Sequence, residues 1–297
     1  MKITKDTKAS IPKNALVKMT QMNHITHIQY MEKRNDRVNI KKLDKDRYVH
    51  LATGEIKEFN HIETRKDSYN SLKQTFGKVS DLINNNFKGQ PNEFHVTLTY
   101  KDNVTDTKRL YSDFKRFMTR LKRKYQDKST IDYMSVVEPQ ERGAWHCHVL
   151  LRFNDVPKLF VSNNLIRELW GQGKIVSTKS LKNIDNIGVY LTAYLSDVEL
   201  NENTAKTVVS EQRDVIEKEV NGEKKRFIKG GRLHMYPPGM NLYRKSKGIV
   251  FPESEMMTYE NAKKIVGSAQ PHYSAGYHVE DDSFTNTIIH EQYNSRR

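Results

Sequence analysis

Only one cysteine, Cys147, occurs in the 297 residues, which excludes an intrachain disulfide and any zinc cluster built on several thiolates. Any metal must be held by histidine and carboxylate. No apolar run approaches the ~20 residues that cross a bilayer, and Met1-Lys2-Ile3-Thr4-Lys5-Asp6-Thr7-Lys8 lacks an apolar signal core. A soluble, cytoplasmic protein with no membrane partner is expected. The phosphate-cradling pattern Gly-x-x-x-x-Gly-Lys-Ser/Thr is missing, since Gly77-Lys78 and Gly171-Gln172-Gly173-Lys174 each lack a part of it. No ATP motor is therefore readable, and neither internal repeats nor low-complexity segments occur. Negative charge is in deficit: 36 Asp and Glu face 50 Lys and Arg, a net charge of +14 and a pI near 9.5. Such a balance favours a polyanionic partner, nucleic acid or an anionic membrane surface.

What is present is organised around Ala144-Trp145-His146-Cys147-His148-Val149-Leu150-Leu151-Arg152-Phe153. Its odd positions are all apolar, so it reads as a strand with one face in a core and Cys147 pointing inward. Residues two apart on a strand share a side, so His146 and His148 project together. On a helix the two rings would diverge by about 200°. The pair is either a metal site in outline or a structural feature of the sheet.

Residues 1–45 are polar and basic, with His24 and His27 read as surface residues. Arg47 to Phe59 reads as a hairpin turning at Thr53-Gly54. A helix follows from Asn70 or Ser71, with Leu72, Phe76, Val79, Leu82, Ile83 and Phe87 as its buried stripe, and Lys88-Gly89-Gln90-Pro91 marks the expected boundary to the next unit. Phe94 to Tyr100 alternates, with His95, Thr97 and Thr99 on a hydrogen-bonding face taken to be open. After the cap Thr105-Asp106, a helix carries the apolar stripe Leu110, Phe114, Phe117, Met118, Leu121 and Tyr125. Its other side holds Lys108, Arg109, Lys115, Arg116, Arg120, Lys122, Arg123 and Lys124, either a solvated face or a phosphate-tracking one.

Ile131 to Glu138 and the His-x-His strand form an antiparallel hairpin across Pro139 to Gly143. A helix around Leu159 to Trp170, a short strand from Lys174 to Ser177 and a helix from about Asp185 to Leu200 complete the unit. The expected class is α+β, with an antiparallel central sheet of split-βαβ, ferredoxin-like type and flanking helices. Three sequential regions are expected: 1–90, an accessory hairpin and helix; 91–200, the core unit; 201–297, a charged linker and tail. Within the last, 201–228 reads as charged helix or linker, and 278–297 as polar and partly disordered.

Tyr190 and Tyr194 are four apart on the final helix and so share a face, either for packing or for reaching a common site. With this pair, the chain resembles the HUH-type rolling-circle replication initiators of phage and plasmid type, in which three motifs follow in order. The first is like Phe94-His95-Val96-Thr97-Leu98-Thr99-Tyr100. The second is His146-Cys147-His148, and the third resembles the Tyr-x-x-x-Tyr form, Tyr190-Leu191-Thr192-Ala193-Tyr194. The likeness covers roughly residues 90–200; Trp170-Gly171 fits it, as does the run from Gly231 to Arg244. One departure is that the lysine many relatives carry three residues after a motif tyrosine is replaced by Ala193 and Asp197, leaving Lys179 or Lys182 as substitutes.

The resemblance implies the HUH endonuclease fold and a DNA nuclease and strand transferase. Tyr190 or Tyr194 attacks a phosphodiester of single-stranded origin DNA, leaving a 5′-phosphotyrosyl link and a 3′-hydroxyl primer. A divalent ion, Mn2+ or Mg2+, on His146 and His148 polarises the phosphate. Glu138 is the candidate third ligand, because antiparallel pairing brings a strand end beside the start of the next; Glu141 is the reserve. DNA contacts are assigned to Thr97, Thr99, Lys115, Arg116, Arg120, Arg152, Arg232 and Arg244, the last two from a segment where aromatic and basic residues interleave. A host helicase and DNA polymerase are the implied partners. A mobilisation relaxase or single-strand transposase would use the same chemistry, and a non-catalytic single-strand-binding protein is the reading from another class.

Overall fold

The two ends of the chain are woven into one sheet. In this computed structural model, described over residues 2–6, 9–34, 39–59, 69–140, 143–173, 176–196, 198–199, 215–220, 223–228, 232, 235–237, 240–281 and 284–297, the first strands are β1 (Lys2–Asp6), β2 (Leu16–Met22), β3 (Ile25–Met31), β4 (Ile40–Lys42), β5 (Arg47–His50) and β6 (Ile56–Glu58). Near the other end lie β15 (Ser254–Thr258), helix α5 (Tyr259–Val266), β16 (Tyr273–Asp281) and β17 (Phe284–Asn294). Six of these pair in the order β1-β16-β17-β3-β2-β15. Val17, Met19, Ile28, Ile289 and Tyr293 are buried against Ala262 of α5. The strands β4, β5 and β6 form a small separate sheet, whose tight turn places Gly54 at φ +70° as expected.

The compact units are therefore residues 1–63 with 252–297, and residues 64–251, a division that does not follow the three sequential regions 1–90, 91–200 and 201–297. The reason is pairing at long range. The polar stretch 278–297, expected to be partly disordered, is largely β16 and β17, with backbone partners in β1 and β3. His27, read as a surface residue, is half-buried beside His290 of β17, their Nε2 and Nδ1 3.1 Å apart.

In the second unit come α1 (Tyr69–Asn86), β7 (Glu93–Thr99), α2 (Thr107–Tyr125), β8 (Ile131–Pro139), β9 (Trp145–Phe153), α3 (Asn163–Trp170), β10 (Val176–Ser180) and α4 (Ile187–Ser196). Beyond them lie β11 (Val198–Glu199), β12 (Val215–Val220), β13 (Glu223–Ile228) and β14 (Tyr243–Lys245). The main sheet runs β10-β7-β9-β8-β14 with every neighbouring pair antiparallel. That is an α+β architecture compatible with the split-βαβ layout, since β9 lies between β7 and β8. Where a charged helix or linker was expected, β12 and β13 form an antiparallel pair, anchored by the buried Phe227 and Ile228 and joined to β11. Residues 201–214 lie outside the described residues.

The alternation of β7 and β9 sorts the sheet into two faces. One carries Val96, Leu98, Trp145, Cys147, Val149, Leu151 and Phe153 into a core with Leu110, Phe114, Phe117 and Leu121 of α2 and Ile166 and Trp170 of α3. Each such side chain contributes about 1.5–3 kcal/mol on burial. Local signals fix the helices: Asp106 caps α2 by accepting from Lys108 N, Ser162 caps α3, and Gly171 ends α3 at φ +67°. The other face was expected to be open. Instead α1 and α4 lie over part of it, burying Val79, Leu82, Ile83, Ile187, Leu191 and Leu195 with Met134, Val136 and Leu150. The helices meet closely because Gly188 has no side chain: a Cβ there would fall 2.4 Å from Ser80 O. Asn84 accepts from Gly188 N at 2.8 Å.

Candidate metal centre and tyrosine helix

Register places the site. On β8 and β9, Glu138 pairs with His146 and Val136 with His148; across β9, Thr99 pairs with His146 and Thr97 with His148. Cross-strand partners share a face, so Glu138, both histidines and both threonines lie together on the side shared with α1 and α4. Ligand atoms of Glu138, His146 and His148 all lie within 4.8 Å of one another. Ligands about 2.0–2.2 Å from one ion span at most roughly 4.4 Å, so a small inward movement closes the set. Two imidazole nitrogens and one carboxylate oxygen fit a divalent cation, with imidazole favouring ions softer than magnesium. Glu141, the reserve ligand, lies outside the described residues.

Two protein partners already hold the centre. Glu138 is buried; His148 Nε2 stands 2.6 Å from its Oε2 and Arg232 Nη1 is 3.0 Å from its Oε1. Burial alone would raise the Glu138 pKa, but the hydrogen bond and charge of His148, with Arg232 and His146 beyond, hold it below the usual carboxylate value. Arg232 also donates to Pro139 O at 2.6 Å. On the far side of His148, Nδ1 lies 3.1 Å from His95 Nε2 and 3.4 Å from Thr97 Oγ1. His95 is buried, and that burial, with the nearby charges of His148 and Lys179, pushes its pKa down to about 3. It is thus a neutral imidazole behind a metal-ligand candidate, the usual place of an orienting partner. Sequence reasoning placed His95 only among hydrogen-bonding groups and missed this role. The available signal was register, since His95 and His148 sit on facing strands two residues out of step.

Tyr190 joins the same group: its ring meets His95 edge to face, centroids 6.0 Å apart. One turn on, position 194 adjoins Leu195, whose carbonyl accepts at 2.8 Å from Tyr236 Oη; that hydroxyl also reaches Val137 O at 3.2 Å. The end of α4 is thereby tied to the stretch of β8 that bears Glu138. The Tyr194 side chain lies outside the described residues, as do Ala193's side chain and Asp197. Of the substitutes for the family lysine, Lys179 is paired across β7 to His95, and Lys182 is exposed in the following turn.

The candidate DNA contacts are not brought together. Lys115, Arg116 and Arg120 lie on α2, across the sheet from the histidines. Arg116 pairs with the buried Asp113, and Arg120 donates to Leu169 O at 3.1 Å. Arg244 faces α2 too, its guanidinium 3.9 Å from the centre of the Tyr111 ring. Arg152 is on the histidine face but two rows away, committed to Asp132 at 2.9 Å and Asn86 O at 2.8 Å. Cys147 is buried on the α2 side, which pushes its thiol up to about 12.

Residues 93–199 match the family model of the replication-associated proteins of ORF2 type, consistent with a replication initiator. No curated protein and no solved structure matches the chain. Among the described residues no helix is long and apolar enough to cross a membrane.

Proposed function

We propose that this chain is a rolling-circle replication initiator with the HUH endonuclease fold, nicking single-stranded origin DNA by metal-assisted tyrosine attack. The observation that carries the reading is one sheet face holding Glu138, His146 and His148 under the helix that bears Tyr190 and Tyr194, within the segment matched by a replication-associated family. A phenol of pKa near 10 is only about a thousandth ionised at neutral pH, so its attack needs help. A divalent ion, Mn2+ or Mg2+, supplies Lewis acidity at the scissile phosphate when bound. His146, His148 and Glu138 hold it, His95 fixes the ring of His148, and Arg232 keeps Glu138 ionised.

Tyrosine oxygen bonds to phosphorus as the bond to the 3′ oxygen breaks; the phenol gives up its proton and the departing oxygen takes one. The products are a 5′-phosphotyrosyl link and a 3′-hydroxyl that a host DNA polymerase extends. The second tyrosine, one helical turn away on the same face, then attacks a regenerated junction. With no ATP-binding loop in the sequence, unwinding falls to a host helicase or to supercoiling, in the cytoplasm of the host cell.

The test is a covalent-adduct assay with labelled single strands and Mn2+ or Mg2+, resolved under denaturing conditions. Wild type should form an adduct that requires the ion. It should vanish in the Tyr190→Phe, Tyr194→Phe double variant and persist in one single variant, which identifies the nucleophile. Tight binding without an adduct on any strand would replace this reading with a non-catalytic binding protein.

A further inference from the structure

The basic side of α2 faces away from the sheet and hence from the metal centre. Lys108, Lys115, Lys122, Arg123 and Lys124 are exposed along it. Between Lys108 and Lys124 the only acid is Asp113, which is buried and engaged by Tyr100 Oη at 3.0 Å and by Arg116. Among the described residues no ion pair holds Lys108, Lys115, Arg123 or Lys124. These cations are uncommitted on a surface where repulsion among them is unrelieved.

From this placement we propose that α2 is a second nucleic-acid interface, one that takes the phosphate backbone of double-stranded DNA flanking the strand cut on the opposite face. Duplex rather than single strand is favoured by what the surface lacks. Single-strand sites pair their cations with aromatic rings on which bases stack. Here the one ring near the surface, Tyr111, is half-buried and covered by the Arg244 guanidinium at 3.9 Å. A straight helix of 19 residues runs about 28 Å, the axial rise of roughly eight base pairs. Its contacts would be with phosphates and carry no base information, fixing where the duplex sits. The proposal rests on DNA being the substrate but not on the tyrosine chemistry.

The experiment uses the full chain, wild type and the Lys108→Gln, Lys115→Gln, Arg123→Gln, Lys124→Gln variant, with a 30-base-pair duplex and a single strand of one of its sequences. Arg116 and Arg120 are left intact because they bond within the fold. Neutralising four phosphate contacts should weaken duplex binding about tenfold or more and reduce the slope of log K against log salt by up to about 3.6. Single-strand affinity should fall much less. An unchanged duplex slope, or equal losses on both probes, overturns the assignment. A second measurement does not depend on the quadruple variant: because Cys147 is buried and its thiol is pushed up to about 12, Lys115→Cys carries one reactive thiol. Duplex should slow its alkylation, and unslowed alkylation at saturating duplex would sink the proposal. If duplex protects α2 while no adduct forms on any single strand, the interface stands and the nicking mechanism falls.

Discussion

At the scale of single residues, the centre depends on which nitrogen of His148 carries a proton. An ion on Nε2 requires the proton on Nδ1, which then donates to His95 Nε2 across 3.1 Å; His95 in turn must carry its proton on Nδ1. Nothing else at that depth fixes the ring as directly, since Thr97 Oγ1 is 3.4 Å away. His95→Phe should therefore weaken Mn2+ binding about 10- to 100-fold, measured by calorimetric titration of the ion into the protein with no DNA present. His95→Gln, whose amide oxygen still accepts, should recover part of the loss. Equal affinity in the wild type and both variants would leave His95 a packing residue. His146, His148 and Glu138 were legible in the sequence because strand alternation and a short hairpin are local rules. Arg232 was not legible as a neighbour of Glu138, since it arrives from almost a hundred residues downstream and was read as a DNA contact.

At the scale of elements, the order from β7 to α4 could be read from periods of two and 3.6 alone. The terminal strands could not: β16 and β17 are polar segments whose order comes from partners more than two hundred residues away. Nor could the cover on the histidine face, because the α1–α4 contact turns on a glycine and an amide rather than on an apolar pattern. Asn84 accepts from Gly188 N and donates to Asn186 Oδ1 at 2.9 Å, satisfying the start of α4. Alanine ordinarily favours a helix over glycine by up to about 1 kcal/mol. At position 188, however, the added carbon meets Ser80 O at 2.4 Å and Ser80 Oγ at 2.5 Å, and overpacking costs about 1–3 kcal/mol. Gly188→Ala should thus lower stability to urea despite its better helix propensity. A gain in stability would mean that α1 and α4 can part without loss.

At the scale of the whole molecule, charge and aromatic reporters divide unevenly between the units. The excess of positive charge lies almost entirely in residues 64–251, the unit with the metal centre and α2. Both tryptophans, Trp145 and Trp170, lie there too, so their fluorescence follows that unit, whereas far-ultraviolet circular dichroism follows both. The other unit has its own acid trigger in His27. Burial foremost, then the charges of His290 and Lys18, lower its pKa to about 4, and the Tyr277 ring flanks His290 on the other side. Between pH 6.5 and 4 the unfolded chain takes up a proton at this position that the folded chain refuses. Stability from this group is complete above the unfolded value and is lost as pH falls through that window, by ~3 kcal/mol at most. His27→Gln, which retains an amide to hydrogen-bond His290, should flatten the pH dependence of the dichroism-detected transition between pH 6.5 and 4. The tryptophan-detected transition should keep its dependence, because His95 lies in the other unit and is untouched. Parallel shifts of both signals would assign the acid sensitivity to something other than the His27 pair.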